Sequence, residues 1–203
     1  MNMRSPASVL SPPTKIAPAR FETTVYEVRL PRARISQLEA PALESKAATA
    51  GSLAKALGEF GDTQVLYKVD QTVNLCGETI RLGTQKPVIA GTRVMPTGQA
   101  INTVTYQEVG LIVKLAANPP PVHADRGSFP VQLEFELSVL EESGIEIAPS
   151  VPAFQTKQLQ LSHGAAPHFG KAVVLLSVSA GTGSDQVFPT AYVIRYVFHK
   201  VTD

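Results

Sequence analysis

Residues 103–115 read TVTYQEVGLIVKL, thirteen positions without proline and rich in β-branched and aromatic side chains. That composition predicts an extended strand. Side chains alternate with period two along a strand, so Thr103, Thr105 and Gln107 share a face with Val109, Leu111, Val113 and Leu115. This face is polar first and apolar afterwards. The opposite face carries Val104, Tyr106, Glu108, Gly110, Ile112 and Lys114. Such a strand meets water along its first half and a packed layer along its second, and Gly110 sits where a bend or bulge fits. A barrel wall, a pore lining and a strand crossing the rim of a sandwich all satisfy this pattern.

The segments around this stretch are mostly strands as well. Downstream, residues 131–140 alternate cleanly, with Val131, Leu133, Phe135, Leu137 and Val139 on one side. Gln132, Glu134, Glu136 and Ser138 lie on the other, so one side is buried and one is wet. Residues 154–161 form a strand whose polar face is Thr156, Gln158 and Gln160. Residues 172–179 and 190–200 are more fully apolar strands, and no helix is expected after residue 103. Upstream, residues 24–30 alternate as a first strand ended by Pro31. Residues 37–60 place Leu43, Ala47, Ala50, Ala54 and Leu57 at helical spacing, which predicts one helix. It starts near Pro41 and is capped by Gly61. Two strands at 64–69 and 72–76, a turn at Gly77-Glu78 and a strand at 79–82 follow. Residues 83–99 are punctuated by Gly83, Pro87, Gly91, Pro96 and Gly98, and read as a long hairpin or re-entrant loop with little regular structure.

The fold class is therefore α+β, mostly β. An extended or disordered arm spans 1–20, a small strand–helix–strand–strand unit spans 21–82, and an antiparallel β region spans 83–203. At 203 residues the chain can bury a substantial core. A formal net charge of +1 gives no electrostatic case for nucleic acid or an anionic membrane surface. The single cysteine, Cys76, rules out an intrachain disulfide, which suits the cytosol or an envelope protein without covalent staples. No run approaches the ~20 apolar residues of a membrane helix. Residues 1–20 lack the apolar core of a signal peptide, so either the protein is not exported or a leader precedes this sequence.

Chemistry is sparse. His123, His163, His168 and His199 fall in no metal-ligand spacing, and His163 and His168 read as exposed turn residues in a loop. Cys76 reads as a small buried hydrophobe on a strand beside a turn. Glu134 and Glu136 share a wet strand face, the usual setting of solvated carboxylates. No nucleophile elbow, phosphate loop or aromatic-basic platform is present. No active site, cofactor or metal is expected.

Four stretches nevertheless resemble the secretin family, the ring-forming outer-membrane channels of protein secretion, pilus assembly and phage export. Residues 53–66 (LAKALGEFGDTQVL) are similar to the helix and strand that open the secretin core. Residues 72–87, ending ETIRLGTQKP, resemble the hairpin and glycine-proline step that follow. Residues 104–115, with Tyr106, Glu108, Val109 and Gly110, resemble the family's most recognisable run. The strands at 131–140, 155–161, 170–179 and 190–201 follow in family order. The resemblance implies protomers joined edge to edge in a large double-walled β-barrel, a homo-oligomeric ring of the cell envelope or outer membrane. Other secretion-system or envelope proteins are the implied partners. It further implies that residues 83–100 are the inward-folding gate, that residues 21–82 belong partly to the ring-building module, and that Gln132, Glu134, Glu136, Thr156, Gln158 and Gln160 line water-filled space. Two departures stand out: residues 67–70 lack the family's usual proline, and the segment at 180–189 is far shorter than the family's membrane tip. The short tip weakens the expectation of bilayer insertion. The competing expectation is a soluble all-β binding or scaffold module with no pore, in which both faces of residues 190–200 are covered.

Overall fold

The computed structural model describes residues 18–97, 100–117, 127–148, 151–179 and 189–201. Among the described residues, eight strands form two four-stranded antiparallel sheets with a helical layer on one side. The first sheet runs β2-β1-β8-β7, with β1 at Ala19–Arg29, β2 at Asp62–Val73, β7 at Val173–Ser179 and β8 at Thr190–Lys200. The second runs β3-β4-β5-β6, with β3 at Glu78–Val94, β4 at Ala100–Ala117, β5 at Val131–Ala148 and β6 at Val151–Ala165. Strands from both ends of the chain thus share one sheet. Among the described residues, no helix is long and apolar enough to cross a membrane.

β8 is the axis of the packing. It is apolar on both sides, and both are buried from Thr190 to Phe198. Its even-numbered side, Tyr192, Ile194, Tyr196 and Phe198, joins Phe21 and Val25 of β1 against the second sheet. Leu111, Val113, Leu115, Leu133, Phe135 and Leu137 answer from that sheet. Aromatic rings meet within the first sheet and across the layers: the cross-strand partners Phe21 and Phe198 stand 4.9 Å apart, and Phe135 and Tyr196, on opposite sheets, 6.2 Å. Each fully buried side chain of this size stabilises by roughly 1.5–3 kcal/mol. The odd-numbered side of β8, Ala191 and Val193, joins Tyr26, Val28 and Leu30 beneath the helices.

The helical layer is broken where the sequence predicts continuity. A 3₁₀ turn at Arg32–Gln37 precedes α1, Ala40–Glu44, and α2, Ala50–Gly58. The break has two causes. The Thr49 side chain accepts from the Ser52 amide at 3.0 Å while Ser52 Oγ accepts from the Thr49 amide at 3.1 Å, a capping box that starts a new helix. The carbonyls of Ala47 and Ala48, which a continuous helix would use internally, instead accept from Arg195 on β8 at 2.8 and 3.1 Å. Leu43, Ala47 and Leu57 are buried as their spacing predicts. Leu53 and Ala56 are buried too, while Ala50 and Ala54 are only half-buried. Gly61 is not a left-handed cap: a Cβ there would strike the Arg29 carbonyl, so glycine is required by the close approach to β1.

Two further expectations are corrected. Residues 64–76 hold one strand, β2, rather than two, with an irregularity opposite Val25 and Tyr26 that absorbs the change in pattern. Residues 83–94 are strand rather than loop: they continue β3 and pair with β4 from Glu78↔Leu115 to Val94↔Ala100, with one register shift between Ile89 and Gly91. Of the two expectations, the long hairpin holds and the re-entrant loop does not. Pro87 is accommodated because β3 borders the sheet, where a missing N–H interrupts no ladder. The turn at Gly77, with φ of 134°, stands as expected. The segments expected as a proline-rich breaker (118–121) and a shortened tip (180–188) lie outside the described residues.

Candidate functional site

The change of character along β4 is realised in three dimensions. From Gly110 to Ala117 the strand pairs with β5, and Leu111, Val113 and Leu115 are buried. From Ala100 to Val109 it pairs only with β3, and residues 101–106 are exposed on both faces. β3 and β4 therefore run past the sheet as a two-stranded arm. At its root Gly83 and Gly110 face each other across the ladder. A Cβ on Gly110 would strike the Leu82 carbonyl, and one on Gly83 would lie 2.8 Å from the Val109 oxygen. Only a pair of glycines lets the two backbones come this close, and the result is a crease.

Register also brings the polar residues of the second sheet together. Gln132, Glu134 and Glu136 of β5 lie across from Ala116, Lys114 and Ile112 of β4, and from Gly164, Ser162 and Gln160 of β6. Gln158 pairs with Ser138 and Thr156 with Leu140, so the six residues expected on a wet face do share one, turned away from the core. Lys114, unremarked by motif reading, is central to it. Its Nζ stands 2.5 Å from Glu136 Oε1 and 3.3 Å from Glu134 Oε2. Gln160 Nε2 donates to Glu134 Oε1 at 2.5 Å, and Gln132 Nε2 donates to Ser162 Oγ at 2.7 Å. The Gln160 amide, seconded by Lys114, holds the Glu134 carboxyl below the usual carboxylate range. Glu136, then Glu134, raise the Lys114 ammonium. A hollow of about 490 Å³ opens on this face beside Ile112, Glu136, Ser138, Gln158 and Gln160. Exposed ion pairs of this kind add little stability, so the face is built to stay hydrated rather than to hold the fold.

The remaining candidate residues divide. Gly83, Pro87 and Gly91 lie on β3, and Pro96 is exposed in the turn at the arm's tip. Gly98 lies outside the described residues. Tyr106 is 67% exposed and Glu108 is exposed on the arm, whereas Val109 is buried at its root. Cys76 is exposed in the turn before β3 instead of buried on a strand, because Leu75 takes the inward position. His163 is not a loop residue: it lies on β6, half-buried, with its ring 6.2 Å from that of Tyr196. His168 is exposed, in a bridge to Ser128. His199 lies near the end of β8, 3.7 Å from Glu22. His123 lies outside the described residues. Among the described residues, no three His, Cys, Asp or Glu side chains gather as a metal site would require.

No protein-family model and no curated protein matches the chain. Among solved structures it is similar to the outer-membrane complex of the Klebsiella pneumoniae type II secretion system, which contains PulD, PulS and the PulC HR domain. There the identity is 14% and the TM-score 0.43, over 93% of this chain and 41% of that one. It is also similar to the InvG secretin-domain β-barrel of the Salmonella SPI-1 injectisome, with 9% identity and a TM-score of 0.42, over 93% of this chain and 64% of that one. A third similar structure is the type II secretin GspD of enteropathogenic Escherichia coli, with 14% identity and a TM-score of 0.35, over 93% and 70%. The chain itself is mostly β, in two antiparallel sheets.

Proposed function

We propose that this chain is a structural subunit of a secretin-like, ring-forming β-barrel channel of the bacterial cell envelope, serving protein secretion or pilus export. The observation that carries the reading is the two-sidedness of the second sheet together with its open borders. One face packs dry against the first sheet and the other presents charge to water. The border strands β3 and β6, like β2 and β7 of the first sheet, have no hydrogen-bonded outer neighbour among the described residues. Unpaired borders are a liability in a monomer and are satisfied when copies join edge to edge. In such a ring both sheets extend into concentric walls, and the face of Gln132, Glu134, Glu136, Thr156, Gln158 and Gln160 lines the aqueous space.

In the same reading, the arm containing Gly83, Pro87, Gly91 and Pro96 is the gate, and the helices and β1–β2 of residues 21–82 brace neighbouring subunits. Its partners are further copies of itself and other envelope proteins of its secretion system; it carries no catalytic role.

One observation favours a second reading, a soluble all-β scaffold module. Both faces of β8 are covered within one copy, by the helices and by the second sheet. Negative-stain microscopy and size-exclusion chromatography of the purified protein separate the two. Rings with a central hole support the channel; a monomer in every buffer and detergent supports the module.

A further inference from the structure

The arm formed by residues 84–94 of β3 and 100–109 of β4 is held in place by little. An isolated two-stranded ribbon is marginal in water. Ile101, Val104 and Tyr106 are exposed, Val88 and Val109 are buried, and the Thr92 hydroxyl bonds to Asn102 within the arm itself. Yet the arm does not project straight out. β3 comes into contact with β6, although β4 and β5 lie between them in the sheet. The second sheet therefore curls on itself, and the Gly83–Gly110 pair at the arm's root is where no side chain obstructs bending. At the far side, Thr156 Oγ1 of β6 donates to Gln107 Oε1 of β4 at 2.5 Å, part-buried. Among the described residues, this is the arm's one side-chain hydrogen bond to another element.

We propose that the Thr156–Gln107 contact is a latch that fixes the arm against β6, and that releasing it lets the arm swing about the Gly83–Gly110 crease. The geometry separates the two roles. The crease, with glycine on both strands, supplies a place where the backbone can change direction without a side chain to obstruct it. The latch supplies one polar contact, small enough to be broken by a modest force or a competing ligand. In a channel subunit this would set how readily the lumen is obstructed, and in that part the inference rests on the function proposed above.

Hydrogen–deuterium exchange followed by mass spectrometry tests the latch on the purified chain in whatever assembly it forms. Thr156→Val removes the donor at nearly constant volume. Peptides covering residues 84–109 should then exchange about fivefold faster, the effect of one ordinary hydrogen bond. Peptides covering 190–200 should be unchanged, and Thr156→Ser, which keeps the hydroxyl, should behave as the parent. An arm that exchanges equally in the parent and Thr156→Val overturns the latch. So does acceleration that spreads to β8, which would mean a general loss of stability. A monomeric particle in the same preparation would count against the channel reading while the exchange comparison still decides the latch.

Discussion

Arg195 shows how much a single buried side chain can settle. Its side chain is 4% exposed, bonds Ala47 and Ala48 in the helical layer, and pairs with Glu22 of β1 at 2.8 Å. One guanidinium thus ties three elements, and its planar fork is what allows it. Arg195→Met leaves two backbone carbonyls and a half-sheltered carboxylate without their donor, so stability to urea should fall by about 3–5 kcal/mol. Arg195→Lys should recover only part of that, because a single ammonium cannot span the three acceptors. Acid is the second test at this scale. Arg20 bonds both carboxylate oxygens of Asp70 at 2.6 Å and holds that carboxyl below its ordinary range, as Gln160 does for Glu134. Both groups have a lower pKa folded than unfolded. Their contribution is present above the unfolded value, about 4, and is lost as pH falls through the folded one. The urea midpoint should therefore drop on acidification below about pH 4, and less steeply in Asp70→Asn than in the parent.

At the scale of elements, the β3–β4 hairpin carries the sharpest expectation. Gly110→Ala places a methyl group against the Leu82 carbonyl and the Gly83 Cα. It should cost roughly 2 kcal/mol and loosen the arm before the sandwich, seen as faster amide exchange over residues 84–109. Gly91→Ala, where no atom lies near an added Cβ, should be close to neutral. These two glycines look alike in the sequence, and only the backbone opposite Gly110 tells them apart. The strands themselves were legible: residues 131–140 because one period of alternation runs unbroken through them, and residues 190–200 because a run apolar on both faces needs cover on both. The split helix was not: the Thr49–Ser52 capping box is local, but the carbonyls before it are taken by Arg195, about 150 positions away in the chain and invisible to a local window. The extension of β3 through Gly83, Pro87 and Gly91 was hidden for a related reason. Glycine and proline mark turns by default, and a border strand tolerates both. The polar face of Gln132, Glu134 and Glu136 was visible as alternation, whereas its tie to Lys114 required the register between β4 and β5.

The described residues form a three-layered body, helices over one sheet over another, whose four border strands have no hydrogen-bonded outer neighbours among them. The central claim is that copies of the chain supply those neighbours and enclose an aqueous lumen lined by the polar face of the second sheet. Closing sheets of this size into a ring removes every edge at once, whereas a dimer would leave some exposed. Negative-stain imaging of the purified protein, in detergent and in detergent-free buffer, addresses this most directly. The account predicts rotationally symmetric rings with a stain-filled centre; particles of monomer size under every condition would contradict it.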